Sequence, residues 1–215
     1  MAQAMVSNVL GVILAGGKAR RLGGGDKALR ELGGKPLLAH AIERLVPQVS
    51  QIIINANGDP ARFDSFPHPV VADTVEGFVG PLAGVLAGLE WAAKNAPDCE
   101  WIVTCATDAP FFPEDLVARL FEAVTQGDAE LACAETNGRT HPVFGLWPVR
   151  LREDLRHVLV VEGLRKVDLW TARHGLTSVD YPAVVVDPFF NINRPEDLER
   201  AEQIVADLNG SKHGA

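Results

Sequence analysis

The feature that most constrains the fold is a short apolar run near the start of the chain, which leads into a glycine-rich, basic loop. Residues 9–14 read "VLGVIL", and residues 15–27 read "AGGKARRLGGGDK", with five glycines, two lysines and two arginines. A short apolar run that leads into glycines is typical of a buried strand. Because open α/β sheets bind ligands beyond the carboxyl ends of their strands, the sequence predicts a binding loop at a sheet edge.

Strand-like and helix-like segments alternate through the first half of the chain. This alternation predicts β-α-β units, and hence a three-layer α/β/α, Rossmann-like fold with a mostly parallel central sheet. The second half is more mixed and allows an antiparallel strand. We expect one domain over residues 1–215, with an ordered core over about 8–208. Strands are predicted over 9–14, 51–54, 69–72, 101–105, 129–134, 143–147 and 184–186, and helices over 36–46, 81–94, 113–124, 151–160, 164–174 and 195–207.

Composition excludes several classes of partner. The net charge of -8 argues against duplex nucleic acid, because phosphate binding along a duplex needs a broad basic face. No apolar segment approaches the ~20 residues of a membrane span, and the first ten residues lack the pattern of a secretion signal. Cys99, Cys105 and Cys133 show no C-x-x-C or zinc spacing, so we expect reduced thiols in a cytoplasmic protein.

The loop has the chemistry of a polyphosphate cradle. Gly16 and Gly17 carry no Cβ, so their backbone N–H groups can approach an anion closely. Lys18, Arg20 and Arg21 add positive charge, and a guanidinium can bind two phosphate oxygens at once. A flexible surface loop is the alternative interpretation, but basic residues interleaved with glycines favour the cradle.

Two common phosphate-binding motifs fit poorly. The P-loop pattern G-x-x-x-x-G-K-[ST] is absent. Residues 23–28 match the dinucleotide fingerprint G-x-G-x-x-A, but they lie well past the end of the predicted strand. After the strand at 51–54 comes Asn55, where a dehydrogenase would place an acidic residue for the ribose. The sequence therefore favours another class of nucleotide site.

The loop resembles L-A-G-G-x-x-x-R-x-G-x-x-K/DK, the signature of nucleotidyltransferases with a GT-A-like fold, and in this chain the ending is Asp26-Lys27. In detail it is similar to the molybdenum cofactor guanylyltransferase family. The similarity continues in order through "INAN", "DTVEGFVGPLAGVLAGL", "TDAPFFPEDL", "HPVFGLW", "GLRKVDLWTARHG" and "FFNINRPEDL". It spans nearly all of residues 9–205, and the ordered set is far more specific than any single motif.

The resemblance implies a nucleotide site beside a magnesium ion. It makes Asp108 the Mg²⁺ ligand, and a single carboxylate is compatible with an ion that also binds phosphates and water. It makes Arg21, Lys27 and Asp108 the catalytic residues. Asn55 carries an amide that can both donate to and accept from a base edge. The implied nucleotide-binding residues are Leu14, Ala15, Gly16, Gly17, Arg20, Lys27, Asn55, Asp73 and Asp108.

The resemblance also implies a neighbouring site for a pterin acceptor, with His141, Arg165, Lys166, Asn191 and Asn193. Four of these residues, all but Asn191, have an alternative role. His141 fits a structural histidine, and Arg165 with Lys166 fits a solvated helix face. Asn193 stands two residues before Pro195 and three before Glu196, which is a good helix N-cap pattern. Asp73 and Asp108 also fit turn positions after strands.

The function implied by the resemblance is transfer of GMP from GTP to the terminal phosphate of molybdopterin, with release of pyrophosphate. It further implies transient contact with molybdopterin-loading proteins or apo-molybdoenzymes. Cytidylyl transfer to the same pterin, sugar-phosphate nucleotidyl transfer and a non-catalytic GTP-sensing module are the alternatives. The double glycine Gly16-Gly17 favours the guanylyl version, since cytidylyl relatives tend to read L-A-A-G.

Overall fold

The computed structural model describes residues 6–16, 24–77, 80–184 and 186–212, with backbone alone for the last four. Among these residues, none of the helices combines the length and the hydropathy that a bilayer span requires. The strands are β1 Val6–Leu14, β2 Glu31–Leu32, β3 Lys35–Pro36, β4 Val49–Asn55, β5 Val70–Val71, β6 Trp101–Ala106, β7 Leu131–Thr136, β8 Arg139–Pro148 and β9 Leu176–Asp180. The α-helices are α1 Leu37–Leu45, α2 Pro81–Asn95, α3 Leu116–Gln126, α4 Arg152–Val160, α5 Val167–Thr171 and α6 Pro195–Lys212.

The central sheet has the order β5-β4-β1-β6-β8-β7-β9 in the part of the chain that is described. Strands β5, β4, β1 and β6 pair in parallel. Strand β8 is antiparallel to both of its neighbours, and β9 pairs in parallel with β7. The prediction of a mostly parallel sheet with an added antiparallel strand is confirmed.

Helices cover both faces of the sheet, which gives the predicted three layers. Along β1, Val9 and Ile13 pack into the core under α1 and α3, whereas Leu10 and Val12 pack into the core under α2, α4 and α5. A parallel strand that is buried on both faces carries a nearly continuous apolar sequence. This burial on both faces explains why the apolar run at 9–14 could be predicted from the sequence to be a buried strand.

A small third cluster joins the end of the chain to its beginning. Strands β2 and β3 form a hairpin whose turn residues, Gly33 and Gly34, both have positive φ, which suits glycine. Leu32 of the hairpin packs against Ile192 and residues of α6. The N–H of Gly33 also donates to Glu202 Oε1 at 2.9 Å. The cluster therefore places the segment before α6 beside the segment after β1.

The prediction differs from the structure most clearly at three elements. The predicted strand at 184–186 is wrong for its described residues, because Val184 is 83% exposed and its N–H closes a turn onto the carbonyl of Pro182. The edge strand was missed at β9, where most of the short sequence LTSVD is exposed or half-buried. The helix predicted over 164–174 begins only at Val167, because Lys166 has an extended backbone.

Candidate active site

A cleft of about 490 Å³ opens at the carboxyl ends of β1, β4 and β6. Two backbone hydrogen bonds hold these strand ends level: Ala15 N–H donates to the carbonyl of Asn55 at 2.9 Å, and Thr107 N–H donates to that of Leu14 at 3.4 Å. The predicted site residues that line the cleft are Leu14, Gly16, Lys27, Asn55, Asp73 and Asp108. Ala15 is buried behind it.

Lys27 reaches into the cleft from a short 3-10 turn, Lys27–Leu29. The carboxylate of Asp26 caps this turn by accepting from the N–H of Ala28 at 3.0 Å. The Lys27 ammonium lies 2.7 Å from Asp108 Oδ2 and 2.7 Å from Asn193 Oδ1. Only 11% of the Lys27 side chain and 25% of the Asp108 side chain are exposed, so the pair is largely shielded from water.

The segment before α6 is fastened to the turn that carries Asp108. Ile192 N–H donates to the backbone carbonyl of Asp108 at 2.7 Å. The interpretation of Asn193 as an N-cap is wrong. Its side chain instead accepts from Lys27. The backbone N–H groups of Asn193 and Arg194, at the N-terminus of α6, donate to the carboxylate of Asp197 at 2.9 Å each.

Two amides hold the carboxylate of Asp73 on the other side of the cleft. Asn55 Nδ2 donates to Asp73 Oδ1 at 3.0 Å, and Asn57 Nδ2 donates to Oδ2 at 2.7 Å. Asn57 Oδ1 also accepts from the backbone N–H of Asp73 at 2.9 Å. Asn57 also lines the cleft but was not predicted, because the dipeptide Asn57-Gly58 is equally typical of an ordinary turn.

Helix α2 forms one wall at very close range. A Cβ on Gly84 would overlap Asn55 Oδ1 and would lie 2.7 Å from Leu14 Cδ2. Gly84 is therefore a point of close approach between the backbone of α2 and the end of β4. The absence of a side chain lets the buried amide of Asn55 sit against the first turn of the helix.

The described lining of the cleft does not have the net positive charge that is expected of an anion-binding site. Its lining includes one cation, Lys27, and two carboxylates, Asp73 and Asp108. The other basic residues of the predicted cradle, Lys18, Arg20 and Arg21, lie outside the described residues, as does Gly17. Within the described ranges, no three metal-ligating side chains cluster together. The donor set suits a hard cation that takes one protein carboxylate and shares substrate phosphates.

The predicted acceptor residues are only partly brought together. Asn193 contacts Lys27 directly, whereas Arg165 and Lys166 are exposed on the segment before α5 and do not line the cleft. The carbonyl of Arg165 does lie next to Gly80, which lines the cleft. Asn191 is half-buried, one residue from the buried Ile192.

His141 lies in the core instead of lining the cleft. Its ring stacks on Phe189 with centroids 4.6 Å apart, and its Nε2 is buried without a hydrogen-bond partner. Burial lowers the pKa of His141, Asp187 opposes that shift, and Arg139 lowers the pKa further. The structural interpretation of this histidine fits the contacts better than a place in an acceptor pocket.

Comparisons with known proteins agree with this geometry. The profile described as "MobA-like NTP transferase domain" matches residues 11–174. A relative from Bradyrhizobium sp. (strain ORS 278), named molybdenum cofactor guanylyltransferase, is 54% identical over 206 residues, covering 96% of this chain and 97% of the relative. A relative of the same name from Rhodopseudomonas palustris (strain BisB5) is 54% identical over 193 residues, covering 90% and 92%.

The fold has a solved counterpart. The crystal structure of molybdopterin-guanine dinucleotide biosynthesis protein A from Archaeoglobus fulgidus superposes with a TM-score of 0.72 at 24% identity, covering 92% of this chain and 99% of that one. The fold and the cleft at its sheet edge thus define a Rossmann-like nucleotidyltransferase. The chain belongs to the MobA-like NTP transferase family, and the predicted similarity to molybdenum cofactor guanylyltransferases is confirmed.

Proposed function

We propose that this protein transfers GMP from GTP to the terminal phosphate of molybdopterin. A phosphate oxygen of molybdopterin attacks the α-phosphorus of GTP, the bond between the α- and β-phosphates breaks, and pyrophosphate leaves. Support comes from the names of relatives that match almost the whole chain. The whole chain would act as one domain, in the cytoplasm, where its three buried and unpaired cysteines would stay reduced.

The observation that carries the proposal is the ion pair between Lys27 and Asp108, 2.7 Å apart within the cleft, on the loops that follow the adjacent parallel strands β1 and β6. An attacking phosphate is already anionic, so the reaction needs no general base. The obstacle is repulsion between two polyanions, which fixed positive charge can offset. Lys27 supplies such a charge from within the cleft, and Arg20 and Arg21 would add theirs from the glycine loop.

We propose Mg²⁺ as the cofactor, with Asp108 as its protein ligand. When bound, the ion would neutralise charge on the phosphate oxygens. The described lining of the cleft has one more carboxylate than cations, so the residues present are compatible with a divalent ion entering with the nucleotide. Lys27, now held by Asp108 and Asn193, would then be free to turn toward a phosphate.

The nucleoside would bind on the side of the cleft that holds Asp73. Asn55 is buried, and its amide is oriented by Asp73 and by the carbonyl of Val71. The backbone of Leu14, Ala15 and Gly16 would lie along the base and sugar. Asn193 would lie beside the acceptor, because it contacts the same Lys27 ammonium as Asp108. Asn191, Arg165 and Lys166 would contact the acceptor at the rim of the cleft.

The proposal is tested by turnover with purified molybdopterin. The protein is incubated with Mg²⁺ and GTP, CTP, ATP or UTP, and pyrophosphate and the dinucleotide product are measured with and without the pterin. Of the four nucleotides, we expect only GTP to release pyrophosphate. This release should require molybdopterin and should be abolished by a chelator. Turnover with CTP in place of GTP would identify a cytidylyltransferase. Binding of GTP without turnover would instead indicate a GTP-sensing module.

A further inference from the structure

Arg62 joins the two sides of the cleft without lining it. Its Nε lies 2.9 Å from Asp26 Oδ2 in an ion pair that lacks hydrogen-bond geometry, and its Nη2 donates to the backbone carbonyl of Asn57 at 2.6 Å. Asp26 is adjacent to Lys27 and caps the turn that presents it. Asn57 holds the carboxylate of Asp73. One guanidinium therefore connects the loop of Lys27 with the loop that orients Asp73.

The turn after β4 has a backbone that admits this guanidinium. Gly58 has a φ of +91°, and a Cβ added to it would lie 3.1 Å from Arg62 Nη1. A side chain at this position would be strained by the backbone and would crowd the arginine. The glycine thus does more than reverse the chain, because it also leaves room for the link between the two loops.

Arg62 is itself held firmly in place. It belongs to the 3-10 helix Pro60–Phe63, whose first turn is capped by Asp59 accepting from the N–H of Ala61 at 3.0 Å. The neighbouring Phe63 is 1% exposed and anchors this helix in the core. The guanidinium also lies 4.8 Å from the centroid of the Phe63 ring. A planar group with several donors in fixed directions can hold two partners at once, which an ammonium does less well.

We propose that Arg62 is a positioning residue that fixes the distance between Lys27 and Asp73, and so matches the cleft to the length of a nucleoside triphosphate. The inference rests on the proposed function, in which Lys27 meets the phosphates and Asp73 lies on the nucleoside side. Arg62 acts through Asp26 and Asn57 and does not contact the substrate. Its loss would misplace the two ends of the nucleotide site relative to each other and leave the acceptor side unchanged.

The test compares Arg62→Met, Asp26→Asn and the double variant with the wild-type protein in the GTP and molybdopterin assay. Asp26→Asn keeps an oxygen that can cap Ala28 but removes the charge that faces Arg62. Loss of a hydrogen bond from a charged group corresponds to about tenfold, so we expect the KM for GTP to rise roughly tenfold in Arg62→Met, which loses its bond to Asn57. Asp26→Asn loses only the ion pair, so the KM for GTP should rise by up to about fivefold. Because both changes break one link, the double variant should rise little further. The KM for molybdopterin should stay unchanged.

Arg119→Met is the matched control. Arg119 also lies over a ring, 4.3 Å from the centroid of Tyr181, and also donates to a backbone carbonyl, that of Asp180. Arg62 donates to Asn57, which lines the cleft, whereas Asp180 and Tyr181 do not line it, so loss of Arg119 should leave the KM for GTP unchanged. Arg62→Lys should fall between the wild type and Arg62→Met. A purely structural effect would lower melting temperature and active fraction without changing the KM for GTP.

Two results would overturn the inference: a KM for GTP in Arg62→Met equal to that of the wild type, or a double variant in which the two effects multiply. Titration calorimetry of GTP with Mg²⁺ gives the same comparison without the acceptor. If the wild-type protein neither binds nor uses GTP, the proposed function fails and the inference fails with it. If the wild type is active and the variants match it, only the inference fails.

Discussion

Lys27 Nζ and Asp108 Oδ2 lie 2.7 Å apart, although 81 residues separate them in the chain. The pair joins the loop after β1 to the loop after β6. Asn193, in the segment before α6, also accepts a hydrogen bond from Lys27. Lys27 is a shielded cation facing a carboxylate that we propose as a metal ligand. The effects of substituting these two residues are therefore the most direct test of the site.

Replacing Lys27 with methionine should lower kcat strongly while the fold persists. The described lining of the cleft would lose its cation, and removal of one preorganised electrostatic group commonly costs ~100-fold or more in rate. Turnover of GTP with molybdopterin and a melting temperature give the two measurements. Lys35→Met is the control, because Lys35 also pairs with a carboxylate at 2.7 Å, that of Glu43, but on the exposed surface. A Lys27→Met protein with more than about a tenth of wild-type kcat would contradict the assignment.

Gly84→Ala should weaken both folding and nucleotide binding. Its Cβ would overlap Asn55 Oδ1, so either the helix or the buried amide must move. Gly88→Ala, one turn later, is the control, since its Cβ would meet only the core, 2.7 Å from Val12 Cγ2 and 3.0 Å from Ile102 Cδ1. Overpacking should lower the free energy of unfolding by about 1–3 kcal/mol in both. Calorimetry should show weaker GTP binding in Gly84→Ala alone, and equal affinities in the two variants would refute the idea.

Thr104→Val should destabilise the core without touching the cleft. Trp147 is fully buried, and its Nε1–H donates to Thr104 Oγ1 at 2.8 Å. Valine has a similar shape but no acceptor, so the indole N–H would be left unpaired at a cost of about 1–3 kcal/mol. Denaturant unfolding measures this loss, and Thr104→Ser keeps the acceptor and should lose less. Equal stability of the valine and serine variants would show that this hydrogen bond contributes little.

The burial of His141 should make stability depend on pH. Burial lowers the pKa of His141 in the folded state, so below about pH 6.5 the unfolded chain binds a proton that the folded chain resists. The free energy of unfolding should therefore fall as the pH drops from about 6.5 through the folded pKa. His141→Phe keeps a ring against Phe189 and should reduce this slope.

The control for His141 is a second histidine with a shift in the same direction. Burial also lowers the pKa of His68, so His68→Gln should remove a separate part of the slope. Unfolding titrations at about pH 7.5 and about pH 5 measure both contributions. A slope that is identical in the wild type and in His141→Phe would show that the ring is not desolvated in solution.

Strands β1, β4 and β6 were predictable because their central residues are buried on both faces, so their sequences contain nearly continuous apolar runs. Strand β9 was not, because an exposed edge strand has little burial to impose a pattern on its five residues. Asn55 ends β4 and Asp108 follows β6, so the parallel topology brings both to one edge of the sheet, whereas their roles were implied by the family resemblance.

Other features of the cleft depend on contacts that sequence spacing does not reveal. Asn193 fitted a local N-cap pattern, but the ammonium of Lys27, 166 residues away, holds its side chain instead. Arg62 showed no motif, because its role comes from two partners on separate loops. His141 sits in a segment similar to the family pattern, yet its ring is held by a stack with Phe189, which only the folded chain brings near.

The hairpin beside α6 has a consequence for how the protein is made. Leu32 and Ile192 pack together, and Asn193 follows directly. A nascent chain that has emerged as far as β9 has therefore produced the sheet and the nucleotide side of the cleft, but not the residue that completes the contacts of Lys27. The polypeptide would reach its working form only once Asn193 has followed, so premature termination before that residue would yield a folded yet incompetent product.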